Sequence, residues 1–106
     1  MQKVENLKRN GKSVANQFVI TDTNCGNMTF QSYKSAICTV GGSVIMLYPR
    51  WDYSTTTSRA LYDFLAGYVG FDRHLLDRHA IRKAIQSGKL GDYTVIYMED
   101  YKYYEL

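Results

Sequence analysis

A glycine pair, Gly41-Gly42, separates two largely apolar stretches of the chain, residues 28–40 and 43–48. Glycine adopts positive φ angles without steric cost, so two adjacent glycines favour the tight turn of a β-hairpin. The pattern predicts an antiparallel strand on each side of the pair, and the second strand ends before Pro49.

Two further stretches have the composition of strands. Residues 14–21 precede a turn rich in Asn and Gly, and residues 93–98 are apolar on both alternating faces. A strand that is apolar on both faces is typical of a covered position in a sheet. Within residues 28–40, the polar residues 31–32 and 34–35 predict a bulge.

Two amphipathic patterns follow the third predicted strand. The first places apolar side chains at the spacing of one helical stripe: Leu61, Phe64, Leu65, Tyr68 and Val69. The Ser/Thr run at residues 54–58 supplies N-cap hydroxyls for this helix, and Gly70 is its predicted end. Asp72 is the predicted N-cap of the second helix, which ends at Gly88.

The predicted fold is therefore α+β, with the element order βββααβ. A small antiparallel sheet, made of a three-strand meander and the C-terminal strand, packs against two helices. The chain of 106 residues has the size of one domain, residues 1–106. We expect a basic N-terminal arm at residues 1–12 and an acidic, tyrosine-rich tail at residues 99–106.

Composition excludes several classes of protein. Every apolar run is far shorter than the roughly 20 residues that span a bilayer, and the N-terminus is unlike a secretory signal. We therefore expect a cytoplasmic protein without membrane contact. Its two cysteines, Cys25 and Cys38, are predicted to be free thiols. The formal net charge of +3 permits contact with phosphates but is below that of a dedicated nucleic-acid binder.

The sequence contains no pattern that supports catalysis, a metal or a cofactor. His74 and His79 point about 140° apart on a helix, and Cys25 and Cys38 lack the spacing of a zinc site. Neither a G-x-S-x-G motif nor a recognisable Cys/His arrangement for nucleophilic catalysis is present. We therefore expect a binding protein rather than an enzyme, with no catalytic residues, metal or cofactor.

The most distinctive local sequence is Trp51-Asp52-Tyr53-Ser54, where the third predicted strand leads into the first helix. Aromatic side chains at such a corner either seal the sheet against the helix or, with Arg50 beside them, anchor a partner. Arg50, Trp51 and Tyr53 are therefore candidate partner-binding residues, and the sequence leaves both roles open.

A second candidate surface is the basic stripe of the second helix. Arg78 and Arg82 lie one turn apart, and guanidinium groups offer bidentate donors to a phosphate or an acidic protein surface. The alternative is an ordinary solvated helix face. Tyrosines near the C-terminus are of a type that stacks on bases, but the acidic residues among them favour a protein partner: Tyr93, Tyr97, Tyr101, Tyr103 and Tyr104.

The pattern FQSY at residues 30–33 is followed by WDYSxTT at residues 51–57. Over residues 14–66 the chain resembles a group of small uncharacterised proteins encoded by phages and mobile elements of bacteria. Its size and character also resemble those of phage inhibitors of host defence, including anti-CRISPR proteins. The resemblance implies stoichiometric binding of a host protein or ribonucleoprotein complex, such as the RNA-guided nuclease Cas9, in the cytoplasm of the bacterial host.

The same resemblance implies roles for side chains already singled out. Trp51, Tyr53, Arg78 and Arg82 become candidate contacts with the partner, and contact with nucleic acid is secondary. The competing hypothesis is a small nucleic-acid-binding accessory protein of phage development. Both hypotheses use the same basic side chains, so charge alone does not separate them.

Overall fold

The computed structural model describes residues 1–99, so the acidic tail beyond Glu99 lies outside the described residues, with Tyr101, Tyr103 and Tyr104. The strands are Gln2–Arg9 (β1), Lys12–Asp22 (β2), Met28–Ser32 (β3), Ser35–Gly41 (β4), Val44–Leu47 (β5), Lys89–Leu90 (β6) and Tyr93–Tyr97 (β7). The α-helices are Thr55–Phe64 (α1) and Arg78–Ser87 (α2). Short 3-10 turns lie at Pro49–Asp52 and Arg73–Leu75, and a π-helical turn, Leu65–Val69, continues α1.

The predicted sheet, a three-strand meander with one C-terminal strand, is wrong. Within residues 1–99 the sheet has seven strands in the order β1-β2-β3-β4-β5-β7-β6, and the sheet is mixed because β5 and β7 are parallel. Two parallel strands need a long connection between them, which the helices provide. The element order βββααβ is therefore also wrong. Residues 1–12 form β1 and the turn into β2 instead of an arm.

The stretch predicted as one bulged strand, residues 28–40, is a hairpin of two strands. Ser32 pairs with Ser35, so the polar residues Tyr33 and Lys34 form its turn. The next hairpin lies one residue later than the glycine pair predicts, because Gly41 ends β4 and pairs with Val44, which leaves Gly42 and Ser43 as the turn. Polar side chains inside an apolar stretch therefore marked a turn rather than an irregularity within one strand.

Both amphipathic patterns form helices. Ser54 is the N-cap of α1, since its hydroxyl accepts a hydrogen bond from the Thr57 N–H at 3.1 Å. Gly70, with a φ of 106°, ends the turn that follows α1. The second helix begins later than predicted, because Asp72 caps a short 3-10 turn and Asp77 caps α2. No helix among residues 1–99 is long and apolar enough to cross a membrane.

The helices cover one face of the sheet. Paired residues on that face form a buried row across four strands: Val19, Phe30, Cys38 and Leu47. Phe30 stacks on Phe64 of α1, with ring centroids 5.8 Å apart. Burial raises the pKa of the Cys38 thiol far above its usual range, so this cysteine stays protonated near neutral pH.

The opposite face of the sheet carries a second row of paired residues: Val4, Ile20, Thr29, Thr39, Met46 and Ile96. Its two ends are open to solvent, since Val4 is 60% exposed and Ile96 is 44% exposed. The prediction that the last strand is covered on both faces is therefore wrong. In β7, Val95 is buried and Ile96 points the other way.

Gln17 is a polar residue on the covered face, beside Ser32 of β3. It is fully buried, and neither atom of its amide has a hydrogen-bond partner within residues 1–99. An unpaired buried amide costs about 1–3 kcal/mol, so Gln17→Met should raise the free energy of unfolding by about that amount in urea denaturation. The matched change Gln86→Met, at an exposed position of α2, should alter stability by less than about 0.5 kcal/mol. Equal effects of the two changes would contradict the prediction.

Candidate binding site

The corner between β5 and α1 holds one aromatic side chain inside the protein and one outside. Trp51 lies in the 3-10 turn and is 3% exposed, whereas Tyr53 is 73% exposed. Trp51 belongs to the hydrophobic core and has the role of sealing the sheet against the helix. Tyr53 is therefore the aromatic side chain of this corner that a partner can reach.

Arg50 covers one side of the exposed tyrosine. Its guanidinium carbon lies 5.2 Å from the centre of the Tyr53 ring, within the range of a cation–π contact. The contact restricts two long side chains on the surface. Less side-chain freedom is then lost when a partner binds to them.

An open cavity of about 700 Å³ lies beside this pair, between the β3–β4 turn and the start of α1. The residues that line it are Ser32, Tyr33, Lys34, Ser35, Ile37, Arg50, Tyr53, Ser54, Thr56 and Thr57. Ser32 and Thr57 are buried, and their hydroxyl oxygens are 3.1 Å apart. This hydrogen bond joins β3 to α1, so both walls of the cavity rest on regular secondary structure.

The charge of the cavity is positive. Lys34 and Arg50 line it, and within residues 1–99 no acidic residue lines it. The first turn of α1 contains no acidic side chain either. The partial positive charge of the helix N-terminus therefore adds to the field of the two cations, and the cavity favours an anionic group.

Tyr33 holds an unusual backbone conformation at the edge of the cavity. Its φ is 56°, in the left-handed region that a bulky residue seldom adopts. Two hydrogen bonds hold the Tyr33 backbone in this conformation. The Tyr33 N–H donates to the Asn16 carbonyl at 2.7 Å, and the side-chain amide of Gln31 donates to the Tyr33 carbonyl at 2.5 Å. The side chain remains 57% exposed. Residues held in such conformations cluster at ligand-binding sites, which makes Tyr33 a candidate for function.

The basic residues of α2 lie next to the same corner. Arg82 Nη2 is 3.7 Å from Asp52 Oδ2, and Arg78 Nη2 donates to the Ser58 hydroxyl at 3.4 Å. The Arg82 side chain is 60% exposed, so its ion pair with Asp52 adds little to stability. We use the name basic corner for Arg50, Tyr53, Arg78 and Arg82.

The structure thus links the two surfaces that the sequence singled out, because Arg82 and Arg78 contact Asp52 and Ser58, which are close in the chain to the Arg50–Tyr53 pair, whereas Trp51 is buried. The sequence missed the contribution of Tyr33 and Lys34, which the β3–β4 turn carries to the cavity. A polar pair flanked by two serines within an apolar stretch is a signal for a turn. This local pattern does not, however, indicate that the turn lies beside the start of α1.

The two histidines and two cysteines lie on four different segments of the chain. His74 is in the short 3-10 turn, His79 is on α2, Cys25 is exposed and Cys38 is buried. Both cysteines are free thiols. Within the described part of the chain, no group of three or more His, Cys, Asp or Glu side chains is placed to hold a metal ion.

Comparison with models of protein families gives a match over most of the chain. A model described as Family of unknown function (DUF8033) matches residues 2–80, from β1 to the first turn of α2. The matched region includes every residue that lines the cavity, but neither Arg82 nor the last two strands. No curated protein and no solved structure matches the chain. Since the match covers most of its length, the chain belongs to the DUF8033 family.

Proposed function

We propose that this member of the DUF8033 family acts by stoichiometric binding of a host protein or ribonucleoprotein complex in the bacterial cytoplasm. The sequence resemblance favours a defence complex, such as an RNA-guided nuclease, which the protein inhibits. The observation that carries the proposal is the Arg50–Tyr53 pair, exposed at a corner where Arg78 and Arg82 add further positive charge.

The composition of the basic corner supports a protein interface. Tyrosine and arginine are enriched among the few residues that dominate binding energy at such interfaces. The corner is also firmly held, because Trp51 is buried below it and the Ser54 hydroxyl caps α1. A preorganised surface loses less conformational entropy on binding than a flexible one.

A second candidate function is nucleic-acid binding, as an accessory protein of phage development. The observation that favours it is the acid-free lining of the cavity, where Lys34 and Arg50 offer contacts to phosphates. The two functions differ in salt dependence. A duplex DNA binder loses about 0.9 in log K per decade of salt for each phosphate that it neutralises, whereas a protein interface loses less.

Capture of partners from host lysate, with and without nuclease treatment, tests the proposal. We expect a nuclease-resistant protein partner. The double variant Arg78→Gln/Arg82→Gln should weaken its capture by about tenfold or more, because interface arginines commonly contribute over 1 kcal/mol each. The melting temperature should change little, since surface ion pairs are worth about 0–1 kcal/mol.

The matched control is Lys83→Gln/Lys89→Gln, which removes the same charge from exposed positions outside the basic corner. Capture by this control should equal that of the unmodified protein. If both double variants weaken capture equally, net charge and not the basic corner determines binding. If DNA or RNA is captured, and nuclease treatment leaves no protein partner bound, the nucleic-acid function replaces the proposed one.

A further inference from the structure

We propose that the cavity between the β3–β4 turn and the start of α1 binds a nucleoside 5′-phosphate, either free or at the end of an oligonucleotide. This inference goes beyond the proposed function: Arg50 and Tyr53 belong to both sites, but Tyr33 and Lys34 line the cavity and are not part of the basic corner. Its size is suitable, since about 700 Å³ lies within the range of roughly 300–1,000 Å³ for small-molecule sites.

Cationic and hydroxyl groups of the cavity fit the phosphate. Lys34 supplies an ammonium group and Arg50 a guanidinium fork, the two side-chain types that proteins use most for phosphate. The lining also includes hydroxyl groups that can donate to phosphate oxygens, among them Ser35 and Thr56. The cavity itself, with its paired cations, is the basis of this assignment, and the start of α1 strengthens the positive field.

Aromatic side chains of the cavity fit the base. Tyr33 and Tyr53 both line it and remain 57% and 73% exposed, so each presents ring surface on which a base can stack. Tyr53 already holds Arg50 over its ring, which places a cation next to the stacking surface.

The backbone of Tyr33 explains how its ring reaches the cavity. A glycine at this position would remove the strain of the 56° φ, yet the chain holds a tyrosine there through hydrogen bonds with Asn16 and Gln31. The strained conformation carries an aromatic ring to the cavity and leaves it exposed. A two-residue hairpin turn requires a positive φ at its first residue, so the feature of Tyr33 that points to ligand binding is its exposed ring in the cavity lining.

Isothermal titration of the full chain with adenosine 5′-monophosphate, adenosine and inorganic phosphate tests the inference. We expect the monophosphate to bind at least tenfold more tightly than either of the other two, since it alone satisfies both parts of the cavity. Titration with a 5′-phosphorylated tetranucleotide separates the two sources. If the tetranucleotide binds tenfold more tightly than the monophosphate, the ligand is the 5′ end of a strand. If the two bind with equal affinity, the ligand is the free nucleotide.

Variants of the cavity complete the test. Lys34→Gln/Arg50→Gln should weaken binding of the monophosphate at least tenfold, whereas Lys3→Gln, a charge change on β1 outside the cavity, should not. Tyr33→Gly should weaken binding while leaving the melting temperature unchanged or raised, because glycine accepts a positive φ. Either of two results would overturn the inference. One is that the monophosphate binds no more tightly than adenosine or phosphate, and the other is that the double variant binds the monophosphate as tightly as the unmodified protein.

Failure of this inference is distinguishable from failure of the proposed function. The titrations use purified protein and a nucleotide, and the capture experiment uses host lysate and a different pair of arginines. Loss of nucleotide binding in Tyr33→Gly with unchanged capture of a protein partner supports both proposals as separate properties. Absence of nucleotide binding in the unmodified protein overturns this one alone.

Discussion

Replacing Trp51 by alanine is expected to lower the free energy of unfolding by about 3–5 kcal/mol, the usual cost of removing a large aromatic side chain from a core. Trp51 is 3% exposed and belongs to the same hydrophobic cluster as Leu61 and Phe64. Its loss leaves a cavity at the corner that connects the sheet to α1. The N-terminus of α1 is held by its Ser54 cap, so it does not readily move to fill that cavity. Urea denaturation followed by far-UV circular dichroism measures the change.

The matched variant of this prediction is Tyr53→Ala, two residues further along the chain. Tyr53 is 73% exposed, so its removal should cost less than about 1 kcal/mol, mainly the cation–π contact with Arg50. If the two variants are equally stable, Trp51 is not part of the core. Loss of partner binding in Trp51→Ala therefore reports on folding, whereas loss of binding in Tyr53→Ala reports on contact.

Phe64→Ala is expected to have an effect of similar size, about 3–5 kcal/mol. Phe64 is fully buried at the end of α1 and stacks on two other rings, with centroids 5.8 Å from Phe30 and 5.7 Å from Tyr68. The substitution removes the aromatic link between α1, the middle of the sheet and the turn after the helix. The same denaturation experiment measures it.

Phe64→Leu is the control for the aromatic cluster. Leucine keeps much of the buried volume but loses the ring contacts, so we expect it to cost about 1–1.5 kcal/mol. A leucine variant as unstable as the alanine variant would mean that ring stacking, rather than filled volume, dominates at this position. An alanine variant as stable as the unmodified protein would contradict the central place of Phe64 in the core.

Local sequence signals predicted the presence of both helices and, to within one residue, the turn of one hairpin. Ser54 and Gly70 lie at the ends of the first helical pattern, and Gly42 of the glycine pair lies in the turn between β4 and β5. Such features depend on residues within one or two turns of each other along the chain. The second helix was placed too early, because Asp72 and Asp77 are both good N-caps and only the second one begins α2.

The patterns in the sequence did not indicate all seven strands of the sheet. β1 is an edge strand that buries only Leu7 completely, and its charged residues are typical of edges but gave it the character of a solvated arm. A contact distant in sequence helps to hold it in place, since Arg9 Nε donates to Asp63 Oδ2 of α1 at 2.6 Å. β6, with two residues, is too short to show any periodicity.

The sequence by itself determined which segments are amphipathic, where the first helix is capped, and which aromatic and basic residues are candidates for binding. Only the tertiary structure decided that Trp51 is buried while Tyr53 is exposed, and that Tyr33 and Lys34 face the start of α1. The physical reason is the range of the interactions. Caps and turns involve neighbours in the chain, but the cavity forms where antiparallel pairing of β3 with β4 brings a turn beside a helix that begins some twenty residues later.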